Sequence, residues 1–366
     1  MVKQYFMPTR VILGEDSVKN NPSVFSEMGK KALIVTGRSS AKKNGSLDDV
    51  TEVLSKNGQE WSVFDRVMAN PSVECVYEGA SFARSEKVDF VIAIGGGSPM
   101  DAAKAINLLA CQDIPRDRLF SGNYGAEILP MIFVPTTAGT GSEVTPYSIL
   151  TDHGEETKIS IASPILFPKV AFLDAKYMDN LPRDITVNTA IDALSHAVEG
   201  MLSVRANPMT DAIASESIRM ISSCFDALKK FQLTRNDRGK LLYASTLAGM
   251  VIANTGTTAV HSMGYSLTYY KDIDHGRANG LLLAEFLKFI ERHRPDKVEQ
   301  ILACMGMKKT DEFKDLFDEL LGEKERLTLD EINMYTEKAM PKKNIRNSIA
   351  VPGKEDVLNI YKASLG

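Results

Sequence analysis

The stretch "VDFVIAIGGGSPMDAAKAINLLAC", residues 88–111, carries more structural information than any other in the chain. Residues 88–97 are an apolar run closing on glycines, the composition of a strand buried on both faces. The run leads straight into a helix with a marked start. Ser98 reads as its N-cap, Pro99 suits the first helical position, and Asp101 completes a capping-box-like pattern. Backbone N–H groups of Gly96, Gly97 and Ser98, at the positive end of that helix, can cradle a phosphate. The turn is not the GxGxxG fingerprint, it follows a late strand, and it lacks the Lys-Ser/Thr ending of a P-loop. A tight βα turn without a ligand is an equal reading of these residues alone.

Similar units flank this one. "KALIVTG" (31–37) is a β-rich run ending in glycine, and "GSLDDVTEVLSKNG" spaces Leu47, Val50, Val53 and Leu54 as a helix does. "WSVFDRV" (61–67) is another strand, followed by a helix over 71–86, and "ILPMIFVP" and "KVAFLDA" supply two more strands. Strands alternating with helices imply a parallel sheet covered on both faces. "VPTTAGTGSEVTP" (134–146) is a second small-residue loop after a strand. Thr136, Thr137, Thr140, Ser142 and Thr145 offer hydroxyls without bulk, which suits a flat polar ligand across strand ends, although Gly/Thr turns without ligands are common. Beyond about residue 182 the character changes: "RDITVNTAIDALSHAVEGMLS", "DRGKLLYASTLAGMVIANTGTTAVHSMGYSLT" and "LLLAEFLKFIERH" have helical spacing and little β signature. We place the boundary at Leu181–Pro182, giving an α/β domain over 1–181 and an all-helical domain over 182–366.

Composition bounds the function. At 366 residues two domains are the natural expectation. Lys+Arg 43 against Asp+Glu 47 gives a net charge of −4, without the basic excess of a nucleic-acid or membrane-surface protein. The four cysteines, Cys75, Cys111, Cys224 and Cys304, form no CxxC pair and read as reduced structural thiols. The N-terminus has no signal-peptide pattern and no segment approaches a membrane span, so a cytoplasmic protein is expected.

Histidine is scarce, at five residues. His153 and His293 lie among charged residues and read as surface positions. Asp192 and His196 are i and i+4 on a helix whose core stripe is Ile191, Leu194, Val198 and Met201, so both side chains fall on one face. His261 follows a run of small and apolar residues, and His275 opens "HGRANG". Three imidazoles and one carboxylate suit Fe²⁺ or Zn²⁺, not Mg²⁺ or Ca²⁺. By spacing alone, a helical Asp–His hydrogen bond with two core histidines explains the same residues.

Taken together, "GGGSPMDAAKA", "PTTAGTGSEVTPYSILTD", "DALSHAVEG" and "HGRANG" resemble, in order and spacing, the iron-containing (group III) alcohol dehydrogenase family, close to its butanol- and propanediol-type members. The resemblance spans nearly the whole chain. It implies a Rossmann-like, dinucleotide-binding α/β domain with a parallel sheet and an all-helical metal-binding domain, the dehydroquinate synthase-like architecture, with the active site in the cleft between them. It further implies that Asp192, His196, His261 and His275 hold one divalent metal, Fe²⁺ before Zn²⁺, and that Gly96, Gly97 and Ser98 bind the pyrophosphate. Asp101, Thr136, Thr137, Thr145 and Lys158 fall where the family lines the cofactor, and Asn70 near the adenine ribose. A homodimer or larger homo-oligomer, with no nucleic-acid or membrane partner, is the family's expectation.

Two departures from the family pattern matter. NAD-preferring members carry an Asp after the first strand, where this chain has Gly37. A carboxylate would repel a 2′-phosphate. Gly37 leaves room for one, Ser39 and Ser40 can donate to it, and Arg38, Lys42 or Lys43 supply charge, so NADP(H) is expected over NAD(H). Many members also carry a histidine four residues after the position of His261, where this chain has Tyr265; the ring either packs there or joins a proton relay, and packing is the favoured reading.

The reaction implied is hydride transfer between NADP(H) and a small neutral alcohol or aldehyde. A metal would act as a Lewis acid on the substrate oxygen, and the cofactor would carry the redox chemistry. The alternative is a dehydroquinate synthase-like lyase and cyclase with a transient NAD redox cycle. That reaction needs a strongly cationic pocket, and the segments 192–199 and 254–270 offer few Lys or Arg.

Overall fold

A computed structural model of the chain describes residues 3–366. Its contacts divide into two units: Met7–Thr137 with Gly141–Leu181, and Pro182–Gly366 with Ala138–Thr140 and the residues up to Phe6.

The first unit is built on a parallel sheet. Its strands are β1 (Arg10–Leu13), β2 (Lys31–Gly37), β3 (Glu60–Val67), β4 (Phe90–Gly95), β5 (Met131–Pro135) and β8 (Val170–Leu173), in the order β1-β8-β5-β4-β2-β3. Strands β6 (Tyr147–Asp152) and β7 (Thr157–Ala162) form a separate antiparallel pair. Alternation along the strands divides the apolar residues between two cores. Leu33, Val35, Val91, Ala93 and Phe133 pack on one face with Val76 and Ala80 of α2 (Val73–Glu86) and Ile106 of α3 (Gly97–Cys111). Ala32, Ile34, Ile92, Ile94 and Val134 pack on the other with Val50, Val53 and Leu54 of α1 (Ser46–Lys56). Each of the Val, Leu, Ile and Phe side chains among them contributes about 1.5–3 kcal/mol by leaving water.

The turn after β4 differs from its sequence reading. The helix begins at Gly97 with Gly96 as the N-cap, so Ser98 and Pro99 lie inside the first turn. Gly95 has φ +148°, and a Cβ on it would come within 2.6 Å of the Pro99 ring. That conformation, which only glycine adopts readily, starts the helix earlier than a Ser cap would. Asp101 closes no capping box. Its carboxylate accepts from the Ser142 hydroxyl (2.6 Å) and the Ile149 N–H (3.0 Å) instead. Strands β1, β6 and β7 also escaped sequence reading; β6 follows directly on the Gly/Thr loop, and β7 lies beside charged turn residues that mask its alternation.

The second unit is helical. The helices that matter below are α4 (Arg183–Met201), α5 (Pro208–Ser222), α6 (Arg235–Thr255), α7 (Ala259–Lys271) and α8 (His275–Glu291). The predicted stripe of α4, Ile191, Leu194, Val198 and Met201, is buried throughout. Helices α6 and α7, a single pattern by spacing, are separated at Gly256, whose φ of +67° ends α6. Capping boxes at Asn207 and Thr234 start α5 and α6. Among the described residues no helix is long and apolar enough to cross a membrane.

Candidate metal centre and nucleotide-binding turn

Helices α4, α7 and α8 bring Asp192, His196, His261 and His275 together. Asp192 Oδ1 lies 3.9 Å from Nε2 of each of the three histidines. Nε2 of His196 and Nε2 of His261 are 3.0 Å apart. Ligand atoms of Asp192, His261 and His275 all fall within 4.8 Å of one another. Asp192, His196 and His261 are buried, and the side chain of His275 is about a quarter exposed at 26%.

The opposite ring nitrogens explain this orientation. Nδ1 of His261 donates to the carboxylate of Glu199, which has no exposed surface. Glu199 also accepts from the Thr258 N–H (2.9 Å) and hydroxyl (2.7 Å) at the start of α7. Nδ1 of His196 donates to the carbonyl of Gly139 at 3.3 Å. With both Nδ1 atoms protonated for these acceptors, both Nε2 atoms carry lone pairs. Two lone pairs facing each other beside a carboxylate repel unless a cation or proton lies among them. The donor set therefore fits a borderline divalent ion, and its chemistry is that of Fe²⁺ or Zn²⁺ sites. Burial would raise the Asp192 carboxyl, but His196, His275 and His261 outweigh it and hold it below the usual range. Burial pushes the His196 imidazole down, favouring the neutral form a metal requires.

Two neighbours complete the arrangement. Tyr265 stacks on His275 with ring centroids 5.8 Å apart and planes 18° from parallel. Gly276 lets the start of α8 approach α4, since a Cβ there would come within 1.9 Å of the Asn188 backbone oxygen and 3.0 Å of Asp192 Cβ. Sequence reasoning passed over Glu199 although D-x-x-x-H-x-x-E puts it on the same face as Asp192 and His196. It also passed over Asn279, four residues beyond His275.

The other candidate residues lie at the carboxyl ends of β2, β3, β4 and β5 and on the β6–β7 pair. A Cβ on Gly96 would come within 2.8 Å of Thr137 Oγ1, and the Thr136 N–H donates to the Gly95 carbonyl at 2.9 Å, so the two small-residue loops touch. Asn70 has φ +55°; its N–H donates to Ser98 Oγ at 3.2 Å and its Oδ1 accepts from buried Lys158 at 2.7 Å. Asn70, Ser98 and Lys158 thus form one network. Beneath them lies Lys104, a fully buried cation unassigned from sequence, whose Nζ donates to Ser142 O, Ser142 Oγ and Tyr147 O, each at 2.8 Å. Burial pushes its ammonium down to about 8 against the pull of Asp101 and Glu143. Burial raises the Asp101 carboxyl, opposed by Lys104 and Ser142. Asp101 and Lys104 together pin the 142–149 segment, and both Asp101 oxygens are taken within the protein.

Comparison with known proteins agrees with this picture. Residues 8–175 match the family model described as iron-containing alcohol dehydrogenase, and 186–365 match the Fe-containing alcohol dehydrogenase family, C-terminal. The NADPH-dependent butanol dehydrogenase of Clostridium saccharobutylicum is 32% identical over 293 residues, 78% of this chain and 74% of that protein. The NAD-dependent methanol dehydrogenase of Bacillus methanolicus is 30% identical over 308 residues, 82% of this chain and 80% of that protein. The crystal structure of an iron-containing alcohol dehydrogenase from Thermotoga maritima is 40% identical, with a TM-score of 0.93 and 100% coverage of both chains. The chain belongs to the iron-containing alcohol dehydrogenase family, and its reaction is the NAD(P)-linked interconversion of alcohols and aldehydes.

Proposed function

We propose that this chain is an NADP(H)-preferring dehydrogenase of small neutral alcohols and their aldehydes, with Asp192, His196, His261 and His275 as the donors to one divalent ion. The observation that carries the metal reading is the convergence of imidazole Nε2 atoms and a carboxylate oxygen, with two Nδ1 atoms engaged on their far sides. When bound, the ion supplies Lewis acidity to the substrate oxygen.

The rest is the work of the chain. Glu199 keeps the His261 tautomer with its lone pair at Nε2, and Thr258 in turn fixes Glu199. Gly139 does the same for His196. Burial of Asp192, His196 and His261 limits water at the reacting oxygen. A bound nicotinamide cofactor would supply the hydride acceptor for alcohol oxidation and the hydride donor for aldehyde reduction, with the hydroxyl proton lost or gained separately. The N–H groups at the start of α3 favour the pyrophosphate, and buried Lys158 adds positive charge beside Asn70.

The NADP(H) preference is supported by the space at Gly37. Packing does not demand glycine there: a Cβ would stand 3.5 Å from Val67 O and 3.8 Å from Ser40 Oγ, in ordinary contact. The open position is flanked by exposed Arg38, Ser39, Ser40, Lys42 and Lys43, a cationic and donor-rich surface suited to a 2′-phosphate. Iron is the more natural ion for this family, and a lack of cationic residues on α4 around the site favours uncharged substrates.

The test loads the purified protein anaerobically with Fe²⁺ and separately with Zn²⁺. Oxidation of NADPH and of NADH is then followed with a panel of small aldehydes. Ion-dependent turnover favouring NADPH is expected. Turnover unaffected by a chelator would count against the metal reading, and no net cofactor oxidation with either ion would count against small neutral aldehydes as the substrates.

A further inference from the structure

Asn279 lies on α8 one turn after His275 and has no exposed surface. Its Nδ2 is 3.0 Å from Asp192 Oδ1, 3.2 Å from His261 Nε2 and 3.3 Å from His275 Nε2. Asp192 Oδ1 is an acceptor, and so is His261 Nε2, whose Nδ1 donates to Glu199, so the amide presents its N–H end to them. Of the three, only the carboxylate oxygen has a second lone pair left to accept once the first faces an ion. The other end of the amide, Oδ1, is buried and accepts no hydrogen bond. It rests against bare backbone of α7: a Cβ on Gly264 would come within 2.3 Å of Asn279 Oδ1. Gly264 follows His261 by three residues, on the same face of its helix. An amide buried with one polar end unanswered calls for a reason at its other end.

We infer that Asn279 is a positioning residue for the metal. It donates to Asp192 Oδ1 and holds that oxygen toward the imidazoles, and Gly264 lacks a side chain so that the amide can stand between α7 and α8. This rests on the reading of Asp192 and the three histidines as the ion's donors. The rotamer of Asp192 is held by this bond and by the close approach of α8 allowed at Gly276.

The test measures ion binding rather than turnover. The metal-free chain, Asn279→Leu, Asn279→Ala and Gly264→Ala are titrated with Zn²⁺ against a chromophoric chelator, and visible spectra are recorded with Co²⁺. Leu keeps the branched outline of Asn without its polar ends but is larger, so Asn279→Ala, which removes the amide without adding bulk, is read beside it; Gly264→Ala alters no polar group and displaces the amide. Zn²⁺ binding at least about tenfold weaker in Asn279→Leu and in Gly264→Ala, with altered Co²⁺ bands, is expected. If Asn279→Leu does not fold, Asn279→Ala and Gly264→Ala carry the measurement, with thermal unfolding of the metal-free forms as the check on integrity. Unchanged affinity and unchanged Co²⁺ bands in folded variants overturn this role alone. A wild-type chain that takes up no ion overturns it together with the metal reading.

Discussion

Glu199 accepts a hydrogen bond from Nδ1 of His261, and that pairing leaves the other ring nitrogen of His261 facing Asp192 and His196. Burial would raise the Glu199 carboxyl, but His261 and Thr258 outweigh it and hold it below the ordinary range, so it remains an acceptor. Glu199→Gln preserves shape and removes the charge. Such changes behind a ligating histidine weaken ion binding by about 10–100-fold. A chelator competition assay on the folded variant measures this, and wild-type affinity would count against a role for Glu199.

Close packing at the start of α8 gives a second expectation. Gly276→Ala places a methyl 1.9 Å from the Asn188 backbone oxygen and 3.0 Å from Asp192 Cβ, neither of which is the tip of a flexible side chain. Helix α8 must shift, and overpacking of this kind costs about 1–3 kcal/mol. Gly37→Ala meets only ordinary contacts, the nearest at 3.5 Å, and a change within about 0.5 kcal/mol is expected. Thermal unfolding of the two variants side by side checks the contrast. Equal midpoints would remove the packing explanation for Gly276.

What the sequence made legible follows from how local each signal was. The buried run of β4 and the helix after it need only neighbouring residues, and both are present, with the helix starting two residues earlier than the Ser98 cap would place it. The four candidate metal donors were found through motif order rather than spacing, because His261 and His275 are brought to Asp192 by packing between helices that no local pattern encodes. The cap at Ser98 failed because the conformation of Gly95 and the Pro99 ring fix the turn, and because the partners of Asp101 lie more than 40 residues away at Ser142 and Ile149. Lys104 looked like any lysine on a helix. Its burial becomes meaningful only once the 142–147 segment supplies three oxygens.

The proposed NADP(H) preference has a direct substitution. The Cβ of Gly37→Asp meets only ordinary contacts, the nearest at 3.5 Å, and thermal unfolding of the variant separates an effect of charge from one of folding. A carboxylate there repels a 2′-phosphate and accepts from free ribose hydroxyls. The ratio of kcat/KM for NADPH to that for NADH should fall by at least about tenfold, the equivalent of roughly 1.4 kcal/mol. An unaltered ratio would refute the assignment of this position to the ribose.

Acid stability of the first unit hinges on Asp49. Its carboxylate accepts from the Tyr177 hydroxyl at 2.9 Å and pairs with Lys176 at 2.7 Å and Lys19 at 2.8 Å. Burial raises the carboxyl, yet Lys176, Lys19 and Tyr177 together lower it below its ordinary 3.8. A carboxyl depressed in the folded state binds fewer protons there than in the unfolded chain, so stability rises with pH through the interval between the two values. The contribution of Asp49 is therefore full above 3.8 and is lost as pH falls through the lower folded value. Asp49→Asn removes it at all pH values. The variant should be less stable than wild type at neutral pH, and the gap should narrow steadily below pH 3.8. Chemical denaturation monitored by circular dichroism at a series of pH values measures that gap, and a gap that stays constant into acid would show that Asp49 is not the titrating group.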